Sequence, residues 1–263
     1  MGFIHRPQFL YTFIKFPEDK PSFRFELRDT TTALSMRKEH LDAAHRHLRK
    51  DARMKQVLTR HTLDPFRRNK DPFASLLRSI IYQQVSGKAA ASILKKFLAL
   101  FPLNAPLRGA SGEPSAKRKV LSGQKFPTPA QVAKMPEAKL RSAGLSGQKT
   151  KYVRDLAARF LDGTIEPKKF PKMTDEEIRE HLIVVKGIGR WTADMFLMFT
   201  LLRPDVLPTG DLGIQKGFQK VFGLRALPDA KKMEKLAKPW QPHRTVACMY
   251  LWRVVDGDDA GER

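Results

Sequence analysis

Cysteine is all but missing from this chain. Cys248 stands alone among 263 residues, which excludes a disulfide framework, a cysteine-ligated zinc site and a four-cysteine iron–sulfur cluster. A reducing compartment is compatible with that count. Long apolar runs are missing too: "FLMFTLL" (Phe196 to Leu202) falls far short of the roughly 20 residues a membrane span needs. Acid is scarce. Asp and Glu total 27 against 49 Lys and Arg, a formal net charge of +22. The N-terminal stretch "MGFIHRPQFLYTFIKFPEDKPSFRF" has no acid before Glu18 and is rich in aromatics. A mitochondrial presequence would favour Ser and Arg more strongly, and an N-myristoylation pattern fails at Arg6. Residues 1–34 therefore read as a short appended segment or strand pair.

What is present is a globular, cationic chain. Its hydrophobic content is 41%, enough for a real core at this length. A surface this positive repels itself and exceeds what solubility requires, so a polyanionic partner is expected. Nucleic acid comes first and an anionic membrane surface second.

From Ser35 onward the pattern is helical, with no alternating strand pattern and no internal repeat. "MRKEHLDAAHRHLRKD" (Met36 to Asp51) has apolar residues at helical spacing. "RRNKDP" (Arg67 to Pro72) is a basic connection whose proline suits the first turn of the next helix. Residues Phe73 to Phe101 read as two helices parting near Ser86–Gly87. Pro102 to Pro129, rich in Pro, Gly, Ser and Lys, reads as a solvated loop. "AQVAKMPEAKLRSAGL" and "KTKYVRDLAARFLDG" follow as helices joined at "GLSGQK". Thr174 and Glu177 form a capping box that opens a helix running to Val185. Another helix is expected from Arg190 to about Leu202, ending before Pro204. "LGIQKGFQKVF" and a stretch beginning near Pro242 are the last.

Between two of these helices lies "VVKGIGRWTADMF" (Val184 to Phe196). Helix, "KGIG", helix is a helix-hairpin-helix signature. Gly187 and Gly189 permit a tight turn and let a phosphate approach the backbone. Amides there, and at the start of the next helix near Thr192, can bind the phosphate, with the helix dipole assisting. Lys186 adds positive charge beside Ile188 and the glycines. Such a grip carries no base identity. The plainer alternative is a helix pair joined by glycines for geometry alone.

Three stretches, "DPFASLLRSIIYQQVSGKAA", "GLSGQKTKYVRDLA" and "KGIGRWTADMFLMFTLLRPDVLPTGDLGIQKG", taken in order and spacing, resemble the helix-hairpin-helix DNA glycosylases. The likeness is to the 3-methyladenine DNA glycosylase II (alkylbase DNA glycosidase) branch, over roughly residues 36 to 255. It implies an all-α, two-lobed fold with DNA bound across a cleft. Residues 35–263 would form the glycosylase domain, with one lobe at about 71–200 and the other at 35–70 plus 201–263. The N-terminal α/β domain of one branch member type cannot fit into some 34 residues.

The resemblance places the catalytic aspartate at Asp211, in "LPTGDLGIQKG"; an N-cap role for the helix that follows is the competing reading and can coexist. Breaking an N-glycosidic bond builds oxocarbenium-like charge on the sugar, which a fixed carboxylate stabilises while orienting or deprotonating water. An alkylated purine is already cationic and leaves as a neutral base. One carboxylate therefore suffices where ordinary glycosidases pair two. Trp191 offers an electron-rich face to such a base, worth roughly 1 kcal/mol or somewhat more when desolvated; a core tryptophan is the alternative. Related glycosylases with lyase activity carry a Schiff-base lysine at this spot, so the resemblance implies a monofunctional enzyme.

The target nucleotide must leave the duplex. By position Gln84 in "YQQVSGKAA" is the minor-groove wedge, where some relatives carry an apolar plug; a polar helix end is the alternative. "GLSGQKTKY" (Gly144 to Tyr152) resembles the family's second backbone-binding turn, with Lys149 near phosphate; a solvated basic turn is the alternative. Met195 and Tyr82 are candidates for the base pocket, with Trp240 and His243 as further aromatic walls, although core packing serves each as well. A monovalent ion on the backbone carbonyls of Ile183, Val185 and Ile188 is a further expectation. The resemblance implies no redox cofactor and no catalytic metal. It implies a monomer acting on double-stranded DNA with alkylated bases, no membrane partner, and nuclear localisation (cytoplasmic in a bacterium). A non-catalytic DNA-binding protein, or a glycosylase for deaminated or etheno purines, remains as the rival.

Overall fold

The computed structural model describes residues 31–63, 71–101 and 126–259, with side chains from residue 39 to residue 257 within them. The appended N-terminal segment before residue 31, most of the Arg67–Pro72 connection and most of the Pro102–Pro129 loop lie outside the described residues. Every regular element among those described is helical. None of these helices is long and apolar enough to cross a membrane. The chain divides into two compact units, one of Met1–Arg68 with Asp194–Arg263 and one of Asn69–Ala193.

In the discontinuous unit, α1 (Thr31–Leu48), α2 (Ala52–Arg60), α10 (Leu212–Phe222) and α12 (Arg244–Asp259) pack on one another. Asp51 ends the run from α1 and caps α2, accepting from the amides of Arg53 and Met54. The core is Leu48, Met54, Ile214, Phe218, Leu251 and their neighbours, with Phe218 stacked on Trp240 at 5.1 Å. Trp240 is fully buried, so it is a core residue and not a pocket wall. Two short helices escape the sequence pattern: α2, and α11 (Ala230–Ala237), which buries only Met233 and Ala237. Their buried residues do follow helical spacing, Met54, Val57 and Leu58 in α2 and Met233 and Ala237 in α11, over only about two turns each.

The close approach of α10 and α12 depends on missing side chains. A Cβ at Gly217 would stand 2.7 Å from the Cβ of Leu251 and 2.9 Å from its carbonyl oxygen. One turn earlier, a Cβ at Gly213 would lie 2.9 Å from Cδ1 of Trp252.

The continuous unit holds α3 (Pro72–Tyr82), α4 (Gly87–Ala99), α5 (Pro129–Lys134), α6 (Glu137–Ser142), α7 (Gly147–Leu161) and α8 (Asp175–Ile183). Pro72 sits at the first turn of α3, where Asp71 accepts from Ala74. The stretch expected as one helix from Ala130 is broken at Pro136, which cannot continue the hydrogen-bond ladder, giving α5 and α6. Helix α7 packs against α3, α5 and α6 around Leu76, Ile80, Val153 and Leu156, all fully buried. Thr174 and Glu177 form the expected capping box on α8, which ends two residues earlier than Val185. Helix α9 (Arg190–Phe196) changes to a π turn over Leu197–Leu201, not a uniform α-helix to residue 202. Leu202 then takes a left-handed conformation (φ 58°), and Pro204 bars any continuation.

Candidate active site

Asp211 lies at the N-terminus of α10 on a loop fixed at several points. Arg244 grips Asp205 through Nε to Oδ1 at 2.7 Å and Nη2 to Oδ2 at 2.8 Å. Thr245 donates its hydroxyl to the Arg203 carbonyl and accepts from the Val206 amide. Gln215 donates back to the Thr209 carbonyl at 3.0 Å, and the Asp211 amide donates to Pro208. The loop between Arg203 and Asp211 is thus tied to the first turns of α10 and α12.

The carboxylate itself is buried, at 3% exposure. Two donors converge on its Oδ1: the Ile214 amide at 2.8 Å and the Trp252 indole Nε1 at 2.9 Å. Capping and a second, long-range anchor coexist on one oxygen. Hydrogen bonds to an ionised acceptor are stronger than neutral ones, so this geometry fixes the carboxylate plane. Trp252, itself stacked near Phe199 at 6.0 Å and 25°, was not legible in the sequence. Nothing in "MYLWRVV" marks it, since its role depends on the space left at Gly213, where a Cβ would lie 3.0 Å from the same Nε1. Nearby, burial and then the negative charge of Asp211 push the Cys248 thiol well above its ordinary range, so it stays protonated.

In the continuous unit, the glycine turn is plugged into the core by Val185 and Ile188, at 1% and 4% exposure, while Lys186 and Gly189 face solvent. The Val185 carbonyl, one of those considered for an ion, accepts from the Ile188 amide. Gly187 has φ +84°, and a Cβ there would fall 2.2 Å from the Tyr152 ring. Both facts demand glycine. Asp155 on α7 accepts from the Lys186 amide at 2.9 Å, fixing the entrance to the turn. At its exit Arg190 makes a two-point contact with Glu176 on α8, at 2.7 and 3.0 Å. That bond, with the guanidinium charge, holds the Glu176 carboxyl below its usual range. Among the described residues no protein acceptor takes the amide hydrogens of Gly187 or Gly189, and both lie in a turn that reaches solvent. Thr192 is buried at 5%.

Gln84 is exposed and left-handed (φ 55°) at the tip of the turn between α3 and α4. For a residue with a Cβ this conformation costs about 1–2 kcal/mol, and it persists only where the surroundings impose it. Gln83, beside it, donates Nε2 to the Gly187 carbonyl at 2.8 Å. Gly144 (φ +96°) is exposed in the second turn. The Lys149 ammonium, expected near phosphate, donates to the Ile81 carbonyl at 2.7 Å, and burial lowers its pKa. It ties the second turn to the end of α3. Within this unit the α3–α4 turn is thus hydrogen-bonded to the hairpin, and the first turn of α7 to the last turn of α3.

The model of the HhH-GPD superfamily of base excision DNA repair proteins matches residues 77–242, which takes in all three turns and Asp211. The chain belongs to this superfamily. A Schizosaccharomyces pombe alkylbase DNA glycosidase-like protein is 32% identical over 70% of this chain and 78% of its own length. A DNA-3-methyladenine glycosylase of the same yeast is 31% identical over 70% of this chain and 73% of its own. Among solved structures, an S. pombe 3-methyladenine DNA glycosylase in complex with abasic DNA superposes with TM-score 0.64 at 29% identity, over 80% of this chain and 95% of that one. A Bacillus halodurans DNA-3-methyladenine glycosidase gives TM-score 0.65 at 31% identity, over 82% and 89%.

Within this HhH-GPD chain the remaining expected pocket residues differ in exposure. Trp191 is half-buried at the start of α9, and Met195, one turn on, is buried at 3%. Tyr82 is buried at 6%, with the Arg78 guanidinium 5.1 Å above its ring, and packs as a core residue at the end of α3. His243 is half-buried and tilts against His47 at 5.3 Å.

Proposed function

We propose that this chain is a monofunctional DNA glycosylase that releases alkylated purines of the 3-methyladenine type from double-stranded DNA and so initiates base excision repair. The observation that carries the reading is Asp211, a buried carboxylate on a braced loop with two N–H donors on one oxygen. Its negative charge stabilises the positive sugar as the bond from C1′ to the base nitrogen breaks. The bonding electron pair leaves with the base and neutralises the charge that alkylation placed there. Water then forms the new bond to C1′ and gives up a proton, and an abasic site remains. Trp191 presents an indole face to the cationic base. A lysine is absent at that position, so no Schiff base forms there and the abasic strand stays uncut.

The hairpin amides and Lys186 hold phosphate, and Gln84 takes the place of the extruded nucleotide. Double-stranded DNA as substrate points to the nucleus in a eukaryotic host, to be checked by imaging a tagged full chain.

The test is release of free base from methylated duplex DNA. A non-catalytic DNA binder gives none at any enzyme concentration. A panel of single-lesion duplexes (3-methyladenine, 7-methylguanine, ethenoadenine, hypoxanthine) separates alkylpurine specificity from the etheno and deaminated alternatives. Preferential release of the cationic bases is expected, and preference for hypoxanthine or ethenoadenine contradicts the reading.

A further inference from the structure

Gln83 is not the wedge, yet it holds the wedge's neighbourhood together. Its backbone closes α3 with φ −58° and ψ 136°, and the next residue is the left-handed Gln84. Its side chain crosses to the hairpin and donates to the carbonyl of Gly187, whose φ is +84°. On the far side of Gln84, Ser86 caps α4 through the Ala89 amide. Behind the turn, Lys149 holds the Ile81 carbonyl. The peptide that would meet a phosphate and the tip that would enter the duplex are thus joined by one side-chain bond.

We propose that Gln83 is a positioning residue that couples phosphate grip to helix opening: its bond to the Gly187 carbonyl holds the Gln84 tip in register with the hairpin. This rests on the glycosylase reading for its substrate, but not for its first readout. Without the bond, the tip is free to relax to an ordinary conformation, while the hairpin keeps its anchors at Asp155, Tyr152 and Glu176. The loss should therefore fall on opening the duplex and spare the backbone grip.

The substitution is Gln83→Met, close in size but without the donor. Two duplexes carry the same lesion, one fully paired and one with the lesion in a bulge that is already unstacked, each with 2-aminopurine beside it. On the paired duplex the variant is expected to lose about fivefold to tenfold in unstacking amplitude and in single-turnover base release, the range one net hydrogen bond sets. On the bulged duplex, release should return to within about twofold of wild type, and affinity for lesion-free DNA should stay within about threefold. Equal loss on both duplexes would mean general damage to the fold and overturns the proposal, as does wild-type behaviour on both. If the wild-type chain releases no base at all, the glycosylase reading fails by itself. The 2-aminopurine amplitude then still decides whether Gln83 couples grip to opening.

Discussion

Replacing Trp252 with phenylalanine should uncouple Asp211 from its second anchor while leaving most of the ring volume in place. The indole donates to Oδ1 at 2.9 Å, and both residues are nearly inaccessible, at 5% and 3% exposure. A hydrogen bond to a charged group contributes about 1.5–3 kcal/mol. The smaller ring leaves a partial void that adds about 0.5–1 kcal/mol. Stacking near Phe199, now at 6.0 Å, should survive. The total of about 2–4 kcal/mol corresponds to a fall in melting temperature of roughly 5–15 °C for a domain of this size. Chemistry should suffer more than binding, because a carboxylate shifted by about 1 Å can lower the rate on the order of 100-fold. Single-turnover base release from methylated duplex, thermal melting and DNA affinity measure the three effects. In a double-mutant cycle with Asp211→Ala, which removes the acceptor, the two stability losses should be non-additive by about 1 kcal/mol or more. A Trp252→Phe protein that melts within 1 °C of wild type and releases base at the wild-type rate would refute the anchoring argument.

Other perturbations probe the remaining parts. Lys186 is exposed beside the turn; Lys186→Gln should weaken damaged and undamaged DNA alike and reduce the slope of log K against log salt by about 1. Gly187→Ala meets a positive φ and the Tyr152 ring at once, so a stability loss of about 2–5 kcal/mol is expected by thermal melting, with weaker DNA binding. Burial, first among the causes, lowers the pKa of His45 and of His243. The unfolded chain therefore takes up these protons more readily than the folded one, so stability is full above the ordinary histidine value near 6.5 and is lost as pH falls below it. Melting temperature should decline between pH 7.5 and 5.5, and His45→Gln should blunt the decline; a flat profile in the wild type would contradict it.

What the sequence made legible are features that act over a few residues. The Thr174–Glu177 capping box, Pro72 at a helix start and the glycine demanded at position 187 each follow from local backbone chemistry. Asp211 before "LGIQKG" could be read as a cap, and it is one, while the catalytic role proposed for it was expected only through the resemblance. The features that escaped are those made between distant segments. Trp252 reaches Asp211 across 41 positions, and only because Gly213 leaves room. Nothing local marks Gln83, whose bond to Gly187 spans 104 positions. Lys149, placed near phosphate by the resemblance, also reaches the helix-end carbonyl of Ile81, 68 positions away. The short helices α2 and α11 went unread although their buried residues follow helical spacing, Met54, Val57 and Leu58 in the first and Met233 and Ala237 in the second.

The most direct measurement is single-turnover release of 3-methyladenine by Asp211→Asn, set beside its affinity for an abasic-site duplex. Asparagine keeps an acceptor for the Ile214 amide and the Trp252 indole, so the fold and the grip on DNA should persist within a fewfold. Removing the negative charge should lower base release on the order of 1,000-fold. A well-folded Asp211→Asn protein that releases the base at the wild-type rate would show that the carboxylate does not carry the chemistry.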